Sequence, residues 1–121
     1  MNWQILGIVI VFIWFFVGGI GHFVRTEFFL NIMPPYVPFH LVVVYISGLF
    51  EILGAIGLLF VVSRQMAGNG LILLTLCVTP ANIHMWLNPH LFPDIPEYLL
   101  LLRLFIQVLL IGLIWWSTRI I

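Results

Sequence analysis

Residues 41–62 read LVVVYISGLFEILGAIGLLFVV, an apolar run interrupted near its middle by one ionisable residue, Glu51. A hydrocarbon layer of about 30 Å is crossed by about 20 helical residues, so the run is long enough to span a bilayer. A carboxyl group at the centre of such a helix costs about 2.5–3.5 kcal/mol to insert, and it is therefore a candidate functional group. The stretch predicts a membrane helix whose carboxyl needs a partner inside the bilayer.

The composition of the whole chain agrees with a membrane location. Of the 121 residues 64% are hydrophobic and 7% are charged, and the mean hydropathy is +1.25. Soluble domains carry about 25% charged residues, so this chain lacks the polar surface that water requires. The formal net charge is zero and lysine is absent, which excludes the basic patch of a nucleic-acid-binding protein. We expect the lipid bilayer as a partner and no nucleic acid.

Three further apolar runs have a similar length. The predicted membrane helices cover residues 3–24, 41–62, 66–87 and 98–117. The first run lacks the basic start and the small-residue cleavage site of a signal peptide, so we keep it as a helix. Residues 27–32, just before the prolines of the first outer loop, predict a short interfacial segment. The chain is thus predicted to be one all-α domain, residues 1–121, folded as a four-helix transmembrane bundle.

Few charges are available to orient this bundle. Arg64 and Arg119 lie at the end that also holds the N-terminus, whereas the loops at the opposite end carry Arg25, Asp94 and Glu97. We call these the inner and the outer end. Because cytoplasmic loops are enriched in basic residues, the pattern predicts that both termini lie on the cytoplasmic side.

Polar residues of the predicted helices are concentrated in their outer halves. Counting about 1.5 Å per residue from the outer ends places His22 about 3 Å deep and Glu51 about 15 Å deep. A single metal ion cannot bridge that difference of about 12 Å, so no metal site is predicted. The inner halves are almost purely apolar, which favours a pocket over a channel. The candidate ligand-binding residues are His22, Glu51, Asn82, His84, Arg103 and Gln107.

Helical periodicity indicates which of these residues can meet. At about 100° per residue, Arg103 and Gln107 share one face of the fourth helix, and Arg103 is the predicted partner of Glu51. Asn82 and His84 are about 200° apart on the third helix. Either one could face the pocket, and a bend at Pro80 could bring both towards it. The sequence leaves this choice open.

Five stretches of the chain, in order, resemble landmarks of the DoxX-like membrane proteins. This resemblance implies a four-helix protein of the bacterial inner membrane, in a superfamily whose founding member is associated with a thiosulfate:quinone oxidoreductase. Other relatives are linked to oxidative-stress complexes or to the assembly of partner membrane proteins. It implies no catalytic mechanism. The stretches are GHF at 21–23, MPPYVP at 33–38, SGLFEILG at 47–54, PANIHM at 80–85 and RLFIQ at 103–107.

Two functions follow as hypotheses. The chain has no haem-attachment motif, no flavin fingerprint and only one cysteine, Cys77, so an enzyme with its own redox centre is not expected. The first hypothesis is an accessory protein of membrane redox processes that binds a quinone-like amphiphile, with a quinone as the candidate cofactor. The second is an assembly chaperone or interaction subunit. It would engage a partner membrane protein or a second copy through Thr75, Thr79 and Asn82, with Glu51 and Arg103 as a structural clamp.

Overall fold

The computed structural model describes residues 3–119 apart from Phe92 and Asp94, and no strand occurs in this part of the chain. Asp94, one of the charges used to orient the bundle, therefore lies outside the described residues. The all-α, four-helix prediction is confirmed. The elements are α1 (Trp3–Val24), α2 (Thr26–Ile32), α3 (His40–Leu58), α4 (Val61–Leu87), a short 3-10 helix (Pro89–Leu91) and α5 (Glu97–Thr118).

The four long helices form a ring in the order α1, α3, α4, α5, and each packs against two neighbours. All four are long and apolar enough to cross a membrane, and most of their large apolar side chains face outwards. This exposed apolar surface suits lipid rather than water. The chain is a multi-pass membrane protein. The short helix α2 corresponds to the predicted interfacial segment, and it packs across the outer end of the ring against α1, α3 and α4.

The turn between α3 and α4 differs from the prediction. The sequence placed the helix ends at residues 62 and 66, whereas α3 ends at Leu58 and α4 begins at Val61. The polar pair Ser63 and Arg64, which indicated a loop, lies in the first turn of α4. The Ser63 hydroxyl donates to the carbonyl of Gly57 at 2.8 Å, and Arg64 Nε donates to the carbonyl of Leu58 at 2.8 Å. These residues satisfy the unpaired carbonyls at the end of α3.

The inner half of the ring is closely packed. A Cβ atom on Gly68 of α4 would lie 2.7 Å from the side chain of Thr118 of α5, and one on Gly7 of α1 would lie 3.0 Å from Cβ of Ser117. Small residues at such positions let helix backbones approach closely. The core cluster of this half contains Ile8, Val11, Phe15, Ala55, Leu58, Leu71, Leu110 and Ile114.

Candidate functional site

The outer half of the ring encloses a cavity of about 690 Å³. All four long helices and the segment 33–37 contribute side chains to its wall. A volume of about 300–1,000 Å³ is typical of small-molecule sites, which combine a mostly apolar wall with a few polar groups. The structure brings five of the six candidate residues to this one cavity. They are His22, Glu51, Asn82, Arg103 and Gln107.

Glu51 pairs with His22. Glu51 Oε2 lies 2.7 Å from His22 Nε2, and the other ring nitrogen, Nδ1, lies 2.8 Å from the carbonyl oxygen of Val44. A carbonyl only accepts hydrogen bonds, so Nδ1 carries a hydrogen and donates it. The contact between Nε2 and the carboxyl then needs one further proton, held by either group. The pair is overall neutral in both arrangements.

The predicted difference in depth between His22 and Glu51 is wrong. The counting assumed that the outer ends of α1 and α3 are level. In the structure the two ends are displaced along the bundle, because His22, near the end of α1, lies beside Gly48, whereas α3 begins at His40. A Cβ atom on Gly48 would lie 2.6 Å from Cβ of His22. His22 is therefore level with Gly48, about two turns into α3, and within reach of Glu51 one turn further along.

Glycines hold this pair in place. The missing side chain of Gly48 leaves the space that His22 fills, and a Cβ atom on Gly18 would lie 3.3 Å from Glu51 Oε1. Gly19 meets the backbone of Gly48 directly, since its Cβ atom would lie 2.8 Å from that carbonyl oxygen. α1 and α3 thus remain in close contact beside the cavity, as small residues at a membrane helix interface allow.

Arg103 does not pair with Glu51, which corrects the predicted partner. Its Nη2 donates to Asn82 Oδ1 at 3.3 Å, and its buried Nε atom has no hydrogen-bond partner among the described residues. The Glu51 carboxyl contacts the His22 imidazole instead, because the contact between α1 and α3 places the two groups side by side. The Arg103 guanidinium is therefore a positive charge at the cavity with unused donor capacity.

Gln107 connects α5 to α4. Asn82 Nδ2 donates to Gln107 Oε1 at 2.5 Å, and Gln107 Nε2 donates to the hydroxyl of Thr79. The hydroxyl of Thr75, which is buried, donates to the carbonyl of Leu71 at 2.7 Å. Thr75, Thr79 and Asn82 thus face the interior of the bundle. They do not form the outward surface that the interaction hypothesis assigned to them.

His84 lies apart from the other candidates, and this settles the choice between Asn82 and His84. It lines a neighbouring cleft of about 310 Å³, whose wall also includes Asn88 and which shares Tyr36 and Pro80 with the large cavity. Asn88 Nδ2 donates to the carbonyl of His84 at 3.0 Å. Although Pro80 lies within α4, the helix continues through it. The angular separation of about 200° therefore holds, and only Asn82 faces the large cavity.

Sequence reasoning missed several residues of the wall. Phe29 of α2 covers His22, with ring centroids 4.0 Å apart, and Cys77 and Trp14 also line the cavity. Phe29 could have been found from the predicted interfacial segment, which had to pack on something. Cys77 and Trp14 are apolar residues within apolar helices, and no feature of the sequence separates them from lipid-facing neighbours.

The electrostatics of the cavity follow from these contacts. The His22 and Glu51 pair is neutral as a unit, whereas the Arg103 guanidinium keeps its positive charge. The nearby Asn82 and Gln107 side chains are neutral and largely satisfied by one another and by Thr79. The cavity therefore offers positive charge and N–H donors to an occupant, surrounded by an apolar wall.

Fold and site together define a four-helix membrane protein with a largely apolar cavity between its helices, which carries a few polar groups. The chain belongs to the family described as a domain of unknown function, DUF8561, whose model matches residues 11–119. No curated protein and no solved structure matches the chain. The likeness to the DoxX family stays a prediction.

Proposed function

We propose that this protein binds a small amphipathic molecule, such as a quinone, and serves as an accessory of membrane redox processes. The head group occupies the outer-half cavity beside Arg103. The observation that carries the proposal is a cavity of about 690 Å³ lined by Arg103, whose guanidinium makes one hydrogen bond among the described residues, to Asn82 Oδ1. A hydrogen bond to a charged group contributes about 1.5–3 kcal/mol. An occupant that supplies an acceptor to this guanidinium adds such a bond.

The chemistry of the wall selects the class of ligand. A positive charge with free N–H donors favours a head group that carries carbonyl or carboxylate oxygens. The same cavity is walled largely by apolar side chains, including Phe15, Leu74 and Leu110. These residues exclude water from the head group and pack against its hydrocarbon parts. Quinones and fatty acids combine both features.

The orientation and location of the protein are part of this proposal. We place it in a bacterial cytoplasmic membrane, as a DoxX-like protein linked to oxidative stress, with both termini in the cytoplasm. Support comes from Arg64 and Arg119 at the inner end, where α1 also begins. Reporters fused after Arg119 and within residues 33–38 should read cytoplasmic and periplasmic respectively. The reverse readings would invert the orientation.

Ligand binding can be tested by thermal stability of the purified protein in detergent. A ligand of the folded state raises stability by RT ln(1 + [L]/Kd). We expect at least one compound from a panel of quinones, fatty acids and sterols to raise the melting temperature of the wild type. Arg103→Met should remove this shift. Because Arg103 carries an unsatisfied donor, Met of similar length should leave the ligand-free protein about as stable as the wild type.

Arg64→Met is the matched control. Arg64 caps the end of α3 at the inner end of the bundle and does not line the cavity. Its replacement should lower the melting temperature of the ligand-free protein and leave the ligand-dependent shift intact. If no compound in the panel stabilises the wild type, the ligand-binding proposal should be given up in favour of an interaction protein.

A further inference from the structure

The contact between α1 and α5 changes along the bundle. At the inner end, Gly7 of α1 lies against Leu113 and Ser117 of α5, with a Cβ atom on Gly7 reaching 3.2 Å and 3.0 Å from their side chains. Gln4 Nε2 also donates to the carbonyls of Trp116, at 3.0 Å, and Arg119, at 2.8 Å. The two helices are thus joined tightly at this end.

Further out, the same faces of α1 and α5 border the cavity. Trp14 lies two turns beyond Gly7, and Ile106 lies two turns from Leu113, so each continues the face that makes the inner contact. Both residues line the cavity, together with Val17 on the same side of α1. The seam between α1 and α5, which is closed at the inner end, therefore widens into the cavity wall in the outer half.

Residues of this wall also face the lipid. Val17, Ile13 and Trp14 are exposed by 63%, 54% and 51%, yet all three line the cavity. A side chain that borders a cavity and also lies on the outer surface marks an opening. Because it lies within the span of α1, the opening leads into the hydrocarbon layer rather than to water.

We propose that the outer seam between α1 and α5 is the site of the ligand's hydrocarbon tail and its route of entry from the bilayer. This inference rests on the proposed function, because the tail belongs to the amphiphile whose head group lies at Arg103. Arg103 stands on α5 about one turn beyond Ile106, at the inside of the opening. The ligand is therefore a molecule dissolved in the membrane, with its tail leaving the cavity sideways.

The opposite side of the cavity, between α3 and α4, also has exposed wall residues, Cys77 and Pro80, but a loop segment lines it as well. There the wall between α3 and α4 is covered by the segment after α2, from which Met33, Pro34 and Val37 line the cavity. His40 fixes this segment, since its Nε2 lies 3.1 Å from the carbonyl oxygen of Pro34. On the other side, the exposed wall residues Ile13, Trp14 and Val17 all belong to α1 itself. We therefore place the tail in the seam between α1 and α5.

The test compares two compounds with the same head group. One is a dimethoxy-methyl-benzoquinone without a tail, and the other is the same quinone with a decyl tail. Val17→Trp fills the seam with a bulky ring. It should weaken binding of the tailed quinone about tenfold, the effect of losing contact with about two methylene groups, while the tailless quinone binds as before. Dissociation constants are measured for every variant in the same detergent. Partitioning of the tailed quinone into micelles is then the same for all variants and does not affect their comparison.

Three further variants make the test decisive. Val108→Trp, at a lipid-facing position of α5 that is 67% exposed and outside the cavity wall, should bind both quinones as the wild type does. Ile13→Trp serves as a second seam variant if Val17→Trp fails to fold, and it should again weaken only the tailed quinone. Cys77→Trp places the same ring in the cavity wall on the side of α3 and α4, and it should weaken binding of the tailed quinone no more than binding of the tailless one.

The outcomes separate the two proposals. A wild type that binds neither quinone, and no other amphiphile, overturns the proposed function and this inference with it. If the wild type binds the tailed quinone and the seam variants bind both quinones as well as the wild type does, the inference alone is overturned. Selective loss of the tailed quinone in Cys77→Trp would also overturn it, because the tail would then leave between α3 and α4.

Discussion

In the inner half of the bundle, helices touch through small residues, whereas in the outer half polar side chains surround open space. Gly68 lies against Thr118 and Gly54 lies against Leu71 in the inner half. In the outer half, the polar residue Gln107 stands on the face of α5 that carries Thr118 three turns later. One face of α5 thus packs closely against its neighbours at the inner end and borders the cavity at the outer end.

The two halves are not separated by a break in the helices. α1 and α3 stay in close contact in the outer half through Gly19 and Gly48. The space of the cavity therefore lies on the side of α4 and α5, where larger and polar residues replace the small ones. The long polar side chains of Asn82, Arg103 and Gln107 bridge only part of the distance between helices, so the space beside them remains available to an occupant.

The largest expected effect tests the packing of the inner half. Gly68→Val should destabilise the protein by about 3 kcal/mol, the upper part of the usual range for overpacking, because the added side chain collides with Thr118. Gly70→Val is the matched control, since a Cβ atom there has no neighbour within 4 Å. Reversible unfolding in mixed micelles with increasing SDS measures both. Equal losses for the two variants would show that the inner half is not closely packed.

The second prediction concerns the pair in the outer half. In a double-mutant cycle with Glu51→Leu and His22→Leu, we expect a coupling free energy of about 1–2 kcal/mol, because the two side chains share a hydrogen bond inside the bundle. A second cycle, with Glu51→Leu and Arg103→Met, should give a coupling of less than about 0.5 kcal/mol. The same unfolding assay serves both cycles. If the coupling free energy of Glu51 with Arg103 is larger than that with His22, the ion pair predicted from the sequence is correct and the pairing of Glu51 with His22 is wrong.

The smallest effect concerns the link between α4 and α5 beside the cavity. Gln107→Leu removes hydrogen bonds to Asn82 and Thr79 and should cost about 1 kcal/mol, as interhelical hydrogen bonds in membranes contribute about 0.6–2 kcal/mol. Val108→Leu, one residue further on the lipid-facing side, is the control and should leave the free energy of unfolding unchanged. A loss as large as that of Gly68→Val would mean that the outer half is as tightly packed as the inner one.

Much of the fold was determined by local features of the sequence. Hydropathy and run length predicted the four membrane helices, and the prolines after residue 32 helped to predict the short helix α2. The position of polar residues along each run predicted that Glu51, Arg103 and Gln107 lie in the same half. These are properties of single helices in a bilayer, where burial of the backbone and of apolar side chains leaves few alternatives.

Only the tertiary structure decided which polar groups meet. The imidazole of His22 reaches Glu51 because the contact of Gly19 with Gly48 fixes how far α1 is displaced along α3, and no pattern within one helix encodes that displacement. The rotation of α4 similarly turned Asn82 inwards and left His84 at a neighbouring cleft. Pairing depends on relative heights and rotations of helices, which are set by contacts between distant residues, and so Arg103 was left without the carboxylate that its sequence position suggested.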